Sequence, residues 1–307
     1  MATVLITGGT GMVGEHLTQL LVLKGYEVII VSRSPAKKRP HAMVSYALWD
    51  IDKQIIDAEA VAKADHIIHL AGAGVADKRW TDERKQEIVD SRTKSSATIV
   101  VALQQLPNNI QTVVSASAIG WYGADTPESL AKGFAESAPA DTEFLGETCK
   151  LWEQSIEPVT LLNKRLVKLR IGIVLSNTGG ALVEFKKPLK FGIAGILGSG
   201  KQVISWVHIE DLCRMFLHAI ENSNLHGAYN AVTTNTVTNK QLTLTLAKIM
   251  RGNFYIPLHV PTFILKLMLG ELSIEVLKSA TVSNKKIQDT GFRYNYPTIN
   301  EALINLK

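Results

Sequence analysis

Cysteine is scarce in this 307-residue chain. The two present, Cys149 and Cys213, cannot build a disulfide framework, which excludes a small stapled scaffold and agrees with a reducing compartment. Long apolar runs are missing too: the stretch 260–269 is broken by Pro261 and Lys266 and falls short of the roughly 20 residues a bilayer span needs. No basic segment followed by a small-residue cleavage site opens the chain, so the expectation is a cytoplasmic protein with no membrane partner. Only 10 prolines and no polar tract leave no room for disorder as a theme. Charge of one sign does not dominate: 33 Lys and Arg against 28 Asp and Glu give +5, and the basic residues look scattered. That balance points to a small-molecule substrate, possibly anionic, and away from a nucleic-acid groove. No His, Cys or Asp pair at ligand spacing has a matching second pair, so no metal is expected.

What is there is a core and an alternation. Hydrophobic residues make up 46% and charged residues 20%, an ordinary globular composition. A β-rich run at 3–7 leads into Gly8-Gly9-Thr10-Gly11-Met12-Val13-Gly14, then into Leu17, Leu20 and Leu21 at helical spacing. Gly25 follows as a helix-ending glycine, and 28–31 is a continuous β-branched strand. The pattern repeats with strands at 45–48, 66–70, 112–115 and 167–174 and helices at 57–64, 81–105 and 144–162. Strands alternating with helices imply an α/β fold, a Rossmann-type doubly wound parallel sheet. After Gly172 come glycine-rich loops, a strand at 203–209, a helix at 211–221 and a strand at 229–232. A capping-box helix opens at Thr238 with Gln241 and runs to Met250, and another runs from Pro261 to Gly270. The expected division is a nucleotide-binding domain over 1–172, to which 204–235 returns. A smaller, mainly helical substrate-side region takes 173–203 and 236–307.

Gly8, Gly11 and Gly14 between a strand and a helix form the turn that lets backbone approach a pyrophosphate at a helix N-terminus. Thr10, Met12 and Val13 belong to the same turn. The end of the second strand selects the nicotinamide cofactor, because an acidic residue there accepts from a ribose hydroxyl and repels a phosphate. Here it is Ser32 and Arg33, with Lys37 and Lys38 close by, which favours NADP over NAD. Asp50 and Ile51 are assigned to the adenine edge. Leu70, Ala71 and Gly72 are small enough to let backbone pass close to the dinucleotide.

The glycine turn, Leu70-Ala71-Gly72 and Ser115-Ala116-Ser117 together resemble the extended short-chain dehydrogenase/reductases. Lys78-Arg79-Trp80-Thr81, Ser91-Arg92, 115–123, Trp152-Glu153, 198–202 and Ser205-Trp206-Val207-His208 resemble more narrowly one atypical subgroup. That subgroup is the NAD-dependent epimerase/dehydratase, or sugar-nucleotide epimerase-like, family with an uncharacterised C-terminal domain, and the likeness runs almost end to end. The resemblance implies a catalytic tyrosine four residues before a lysine, an upstream serine and an asparagine. Aligned on Glu153, those positions hold Leu145, Cys149, Ser117 (or Ser115) and Arg92.

Leucine has no proton to give, so another group must act. Tyr122 is the first candidate, with a packing role as its alternative; Cys149 is the second, with buried filler as its alternative. Lys150 is about 100° out of register, Glu143 is either a cap or a base, and His208 is either structural or catalytic. Arg79, Trp80 and Arg92 are read as substrate-binding, with solvated surface arginines as the alternative, and Trp206 as lining the cleft. Two functions remain: an NADP-dependent oxidoreductase or epimerase on a sugar nucleotide or other small polar carbonyl or alcohol, or a catalytically silent NADP-binding redox sensor. Oligomeric state is left open.

Overall fold

The computed structural model describes residues 1–35 and 42–307. Its first half runs β1 (Thr3–Thr7), α1 (Met12–Leu23), β2 (Glu27–Ser32), β3 (Val44–Asp50), β4 (Ile55–Ile56), α2 (Ala58–Lys63), β5 (His66–His69), α3 (Asp82–Gln105), β6 (Thr112–Ala118), α4 (Pro127–Lys132), α5 (Phe144–Ile156) and β7 (Arg165–Ile171). The second half runs β8 (Ile173–Leu175), α6 (Ala181–Leu189), β9 (Ile193–Leu197), β10 (Val203–Ile204), β11 (Trp206–His208), α7 (Ile209–Glu221), β12 (Gly227–Ala231), β13 (Val237–Thr238), α8 (Asn239–Arg251), β14 (Ile256–Val260), α9 (Thr262–Leu269), α10 (Leu272–Leu277), α11 (Lys285–Asp289) and α12 (Ile299–Asn305).

One eight-stranded sheet carries the fold, in the order β12-β7-β6-β5-β1-β2-β3-β4. Every pairing in it is parallel except β3 with β4. Successive strand residues feed opposite layers, as a pleat of period two requires. Val4, Ile6, Val28 and Ile30 pack with Leu17, Leu21 and Phe216 on one face. Leu5, Ile29 and Val31 pack with Val61, Ile99 and Leu103 on the other. β1 lies between β2 and β5, so chain order reverses there and opens the crevice where such sheets take ligands.

Three expected elements are divided in two. The helix expected over 144–162 is α-helical only to Ile156 and continues as a 3₁₀ segment, Glu157–Leu162, because Pro158 has no N–H to sustain the α ladder. The strand expected over 167–174 breaks at Gly172, where a Cβ would sit 2.6 Å from the Ser205 carbonyl oxygen. The one expected over 203–209 breaks at Ser205, whose hydroxyl donates to the Ala280 carbonyl at 2.7 Å. The capping box of α8 forms between Thr238 and Gln241. In the C-terminal third, β9 pairs β14 in parallel within a segment that reads as loop from its glycines. No described helix is long and apolar enough to cross a membrane, and no cluster of three potential metal ligands occurs among the described residues.

Candidate active site

At the β1–α1 turn Gly8, Gly11 and Gly14 are glycine for different reasons. Gly8 has φ of 69°, and a Cβ there would lie 2.8 Å from the Leu70 carbonyl carbon, so the turn rests on the chain leaving β5. A Cβ on Gly14 would lie 2.5 Å from both the Gly8 oxygen and the Gly9 Cα, because the helix sits down on the turn. Gly11, the N-cap of α1, is exposed, with only the Gly8 oxygen near at 3.4 Å and no side chain capping the helix. Nothing among the described residues forbids a side chain at Gly11. The open space in front of the helix N-terminus is what a Cβ would fill, which fits a bound pyrophosphate. Thr10 is exposed beside it, and Val13 is half-buried against the core. Met12 reaches across to the loop before α6, its sulfur 3.4 Å from where a Gly179 Cβ would be.

The floor of this turn is tied to α3. The Thr7 hydroxyl accepts from the Leu70 and Ala71 N–H groups, each at 3.2 Å, so its proton goes to His69 Nδ1 at 2.7 Å. Nε2 then carries the ring hydrogen and faces Ser96 (3.2 Å) and Ser95 (3.3 Å). Burial, with the nearby Arg92 charge, pushes the His69 pKa down to about 3 and keeps the ring neutral.

Ser32 closes β2, and Arg33 follows it, exposed at the carboxyl edge of the sheet. Parallel pairing of Ser32 with Leu48 puts Asp50 on the same edge. The Asp50 carboxylate accepts from the N–H groups of Asp52 (3.1 Å) and Lys53 (3.2 Å), so it also shapes its own turn. Lys37 and Lys38 lie outside the described residues.

Across the crevice, α5 presents Leu145 and Cys149 to the loop after β6. A Cβ on Gly120 would lie 3.2 Å from the Leu145 Cβ and 3.7 Å from the Cys149 sulfur. Burial pushes the Cys149 thiol up to about 12, outweighing the opposing pull of Arg92. Arg92 comes from α3: Nη1 donates to the carbonyls of Ala73 (3.0 Å) and Ile88 (2.9 Å), and the guanidinium stacks 4.9 Å above the Trp152 ring. A Cβ on Gly72 would meet it at 3.2 Å. Trp80 is buried, donating Nε1 to Val75 at 2.7 Å and meeting Phe144 edge-on at 4.9 Å. Leu145, Leu269, Leu272 and Val276 complete that apolar cluster. Arg79 is exposed and lies against Gly270, at the junction of α9 and α10. The chain thus brings Gly72, Arg92, Leu145 and Cys149 into one row, with Trp80 and Arg79 beside it.

Ser117 and Tyr122 belong to a different, sealed network. The Ser117 hydroxyl donates to Glu153 Oε1 at 2.8 Å, and Arg170 donates to both oxygens of the same carboxylate at 2.7 and 3.1 Å. Arg170 Nη1 also donates to the Tyr122 oxygen at 3.0 Å, and Tyr122 donates to Asn230 Oδ1 at 2.7 Å. The Tyr122 ring is fully buried, stacked 5.1 Å from Phe134, and burial pushes its phenol up to about 12. The expectation of Tyr122 as the first candidate proton donor is therefore corrected: it follows a 3₁₀ turn over 119–121, and its hydroxyl is held between Arg170 of β7 and Asn230 of β12. Trp206 is likewise a core residue and not a cleft wall. It is fully buried, with Nε1 donating to Asn235 at 2.8 Å.

Ser115 spends its proton on the Ala116 carbonyl at 3.0 Å, and Lys150 pairs with Glu147 at 3.2 Å. Glu143 is the N-cap residue of α5 but makes no side-chain cap bond. His208 accepts the Glu210 N–H at 3.1 Å, stacks on Tyr296 and starts α7. Sequence reasoning missed His69 and Arg170. Residue type does not single them out, since β5 also carries His66 and β7 also carries Arg165 and Lys168.

Known proteins resemble this chain along nearly its whole length. The profile of the NAD dependent epimerase/dehydratase family matches residues 4–143, and a Domain of unknown function (DUF1731) matches 260–306. The epimerase family protein YfhF of Bacillus subtilis is 34% identical over 302 residues, covering 98% of this chain and 96% of its own. The crystal structure of the human epimerase family protein SDR39U1 (isoform 2) with NADPH superposes with a TM-score of 0.86 at 28% identity, covering 99% and 98% of the two chains. A nucleoside-diphosphate sugar epimerase of Corynebacterium glutamicum superposes with a TM-score of 0.77 at 28% identity. The match covers 99% of this chain but 58% of that one.

Proposed function

The chain belongs to the NAD-dependent epimerase/dehydratase family, and from that premise we propose that it binds NADP(H) at the β1–α1 turn and acts as an oxidoreductase or epimerase on a small polar carbonyl or alcohol, sugar nucleotides included, without a tyrosine acid. The observation that carries the reading is Gly11, the one glycine of the turn whose bareness the chain's own packing does not require. In this reading 1–172 with 204–235 holds the dinucleotide, and 173–203 with 236–307 covers the substrate. Gly8, Thr10, Met12, Val13 and Gly14 shape the pyrophosphate cradle, and Leu70, Ala71 and Gly72 form its floor. Ser32 and Arg33 face the 2′-phosphate, with Asp50 on the adenine side. NADPH supplies hydride when bound.

The chain's own contribution is charge placement. Arg92 holds a fixed positive group beside Leu145 and Cys149, suited to an anionic substrate or to an oxygen gaining negative charge. Cys149 stays a neutral thiol, so the proton comes from water or from the substrate itself. A second reading, the silent redox sensor, is favoured by one observation: the Ser117 proton is committed to Glu153 and therefore cannot polarise a substrate oxygen.

Titration of NADPH and NADH by intrinsic tryptophan fluorescence tests the cofactor. NADPH binds more tightly, and Arg33→Ala erases about a tenfold preference; equal affinities in the wild type overturn it. A screen of sugar nucleotides, quinones and small aldehydes for NADPH oxidation separates the two functions. Turnover that Arg92→Ala abolishes supports the enzyme. NADPH binding with no turnover, but altered association with another protein, supports the sensor.

A further inference from the structure

The charges, scattered by count, are segregated by segment. Between Glu184 and Glu210, and again between Glu221 and Glu271, there is no Asp or Glu at all, whereas Lys186, Lys187, Lys190, Lys201, Lys240, Lys248, Arg251 and Lys266 fall there. Those eight exceed the whole chain's net charge of +5, so the remainder is net acidic. In the same two segments β9 and β14 pair in parallel, with Ile193 opposite Ile256 and Gly195 opposite Leu258. That face is bare: Ile256 is 70% and Leu258 53% exposed, while Ala194 and Ile196 on the opposite face are buried. At the end of the pair stand Phe191 and Phe254, 84% and 87% exposed. Their loops are clamped together by Arg251, which donates to the Leu189 and Lys190 carbonyls.

We propose that this face, β9 and β14 with Phe191 and Phe254 at their tip and Lys187, Lys190 and Arg251 around it, docks on the surface of an anionic lipid bilayer. Two exposed aromatic rings on clamped loops and an aliphatic strip insert shallowly, and a basic collar, in which Glu184 holds Lys187 at 2.7 Å and Lys190 and Arg251 carry the rest of the charge, meets the lipid phosphates. This goes beyond the proposed function and reverses the expectation of no membrane partner, which rested on the lack of a spanning apolar run and of a leader segment. A second copy of the chain fits less well, since an isologous contact would press this positive collar against itself. Strand pairing through β14 is also blunted. Ile256 N–H and the Val260 carbonyl face β9, so Pro257, which has no N–H, lies on the free edge. A nucleic acid would use the charge but leave Ile256 and Leu258 with no role.

The test is flotation of the full chain with vesicles of phosphatidylcholine alone and with about 30 mol % phosphatidylglycerol added. Binding to the anionic vesicles exceeds binding to neutral ones at least about fivefold and falls when salt is raised. The double variant Phe191→Ser, Phe254→Ser lowers it about tenfold or more, as does Lys187→Glu with Lys190→Glu, while both variants melt at the wild-type temperature. Equal background binding to both vesicles overturns the proposal. So does anionic binding that neither variant reduces, or a dimer in sedimentation that the phenylalanine variant dissolves. Because no cofactor is involved, these outcomes are independent of whether the nucleotide reading stands.

Discussion

The two ends of the crevice are built on opposite terms. At the β1–α1 turn the working groups are backbone, and what matters is which side chains are missing: Gly8 and Gly14 yield to the chain, and Gly11 leaves open space. On the α5 side the working positions hold side chains, yet none is a ready acid. Ser117 and Tyr122, on β6 and the loop after it, serve a buried ion pair, and Cys149 is a thiol pushed up to about 12. An open glycine turn beside a row poor in acids lets substitutions address the two ends separately. The substitutions below act on one end at a time.

The largest effect is expected where the turn is packed and not open. Gly14→Val forces a side chain into the Gly8–Gly9 backbone and should cost more than about 4 kcal/mol, seen as loss of the cooperative unfolding transition. Gly11→Val should keep that transition and lose NADPH affinity at least about a hundredfold. If both variants fold and bind alike, the distinction between the two glycines is gone.

Next comes pH. His69 is neutral when folded, with a pKa of about 3 against an ordinary 6.5, so the unfolded chain binds the extra proton. Stability is full above pH 6.5 and falls as pH drops toward 3, by up to about 5 kcal/mol for this fully buried ring. Denaturant midpoints measured between pH 7 and 4 should show the slope. His69→Asn should be less stable at neutral pH but flatter across that range.

At the other end, Arg170→Ala strands the Glu153 carboxylate and removes a donor from Tyr122. It should cost about 3–5 kcal/mol by denaturant titration with little direct change in NADPH affinity. Tyr122→Phe should cost about 1 kcal/mol and leave any turnover intact; a large loss of turnover with unchanged stability would return Tyr122 to the chemistry. The smallest effect concerns Cys149, which should resist iodoacetamide at pH 8 in the folded protein and react on unfolding. Rapid native alkylation at Cys149 would make the reaction row richer in nucleophile than its burial implies.

Much of the sheet was legible because its information is local. A β-branched run such as 28–31 reads as a strand buried on both faces, and a glycine turn between strand and helix reads as a nucleotide cradle whatever the rest of the chain does. The pair β9 and β14 was not legible, since each strand is short and glycine- or proline-interrupted and finds its partner some sixty residues away. The same holds for the site. Leu145 and Cys149 follow from register on one helix, but the fate of Ser117 depends on Glu153 and that of Tyr122 on Asn230, 108 positions distant.

The sequence alone therefore determined the alternation, the cradle and the absence of a tyrosine–lysine pair, because each is a matter of residue type at close spacing. Only the tertiary structure decided which hydroxyls are free, which tyrosine is sealed and which lysines share a face. A proton's partner and a charge's neighbours are set by distances across the fold, and sequence separation does not encode them.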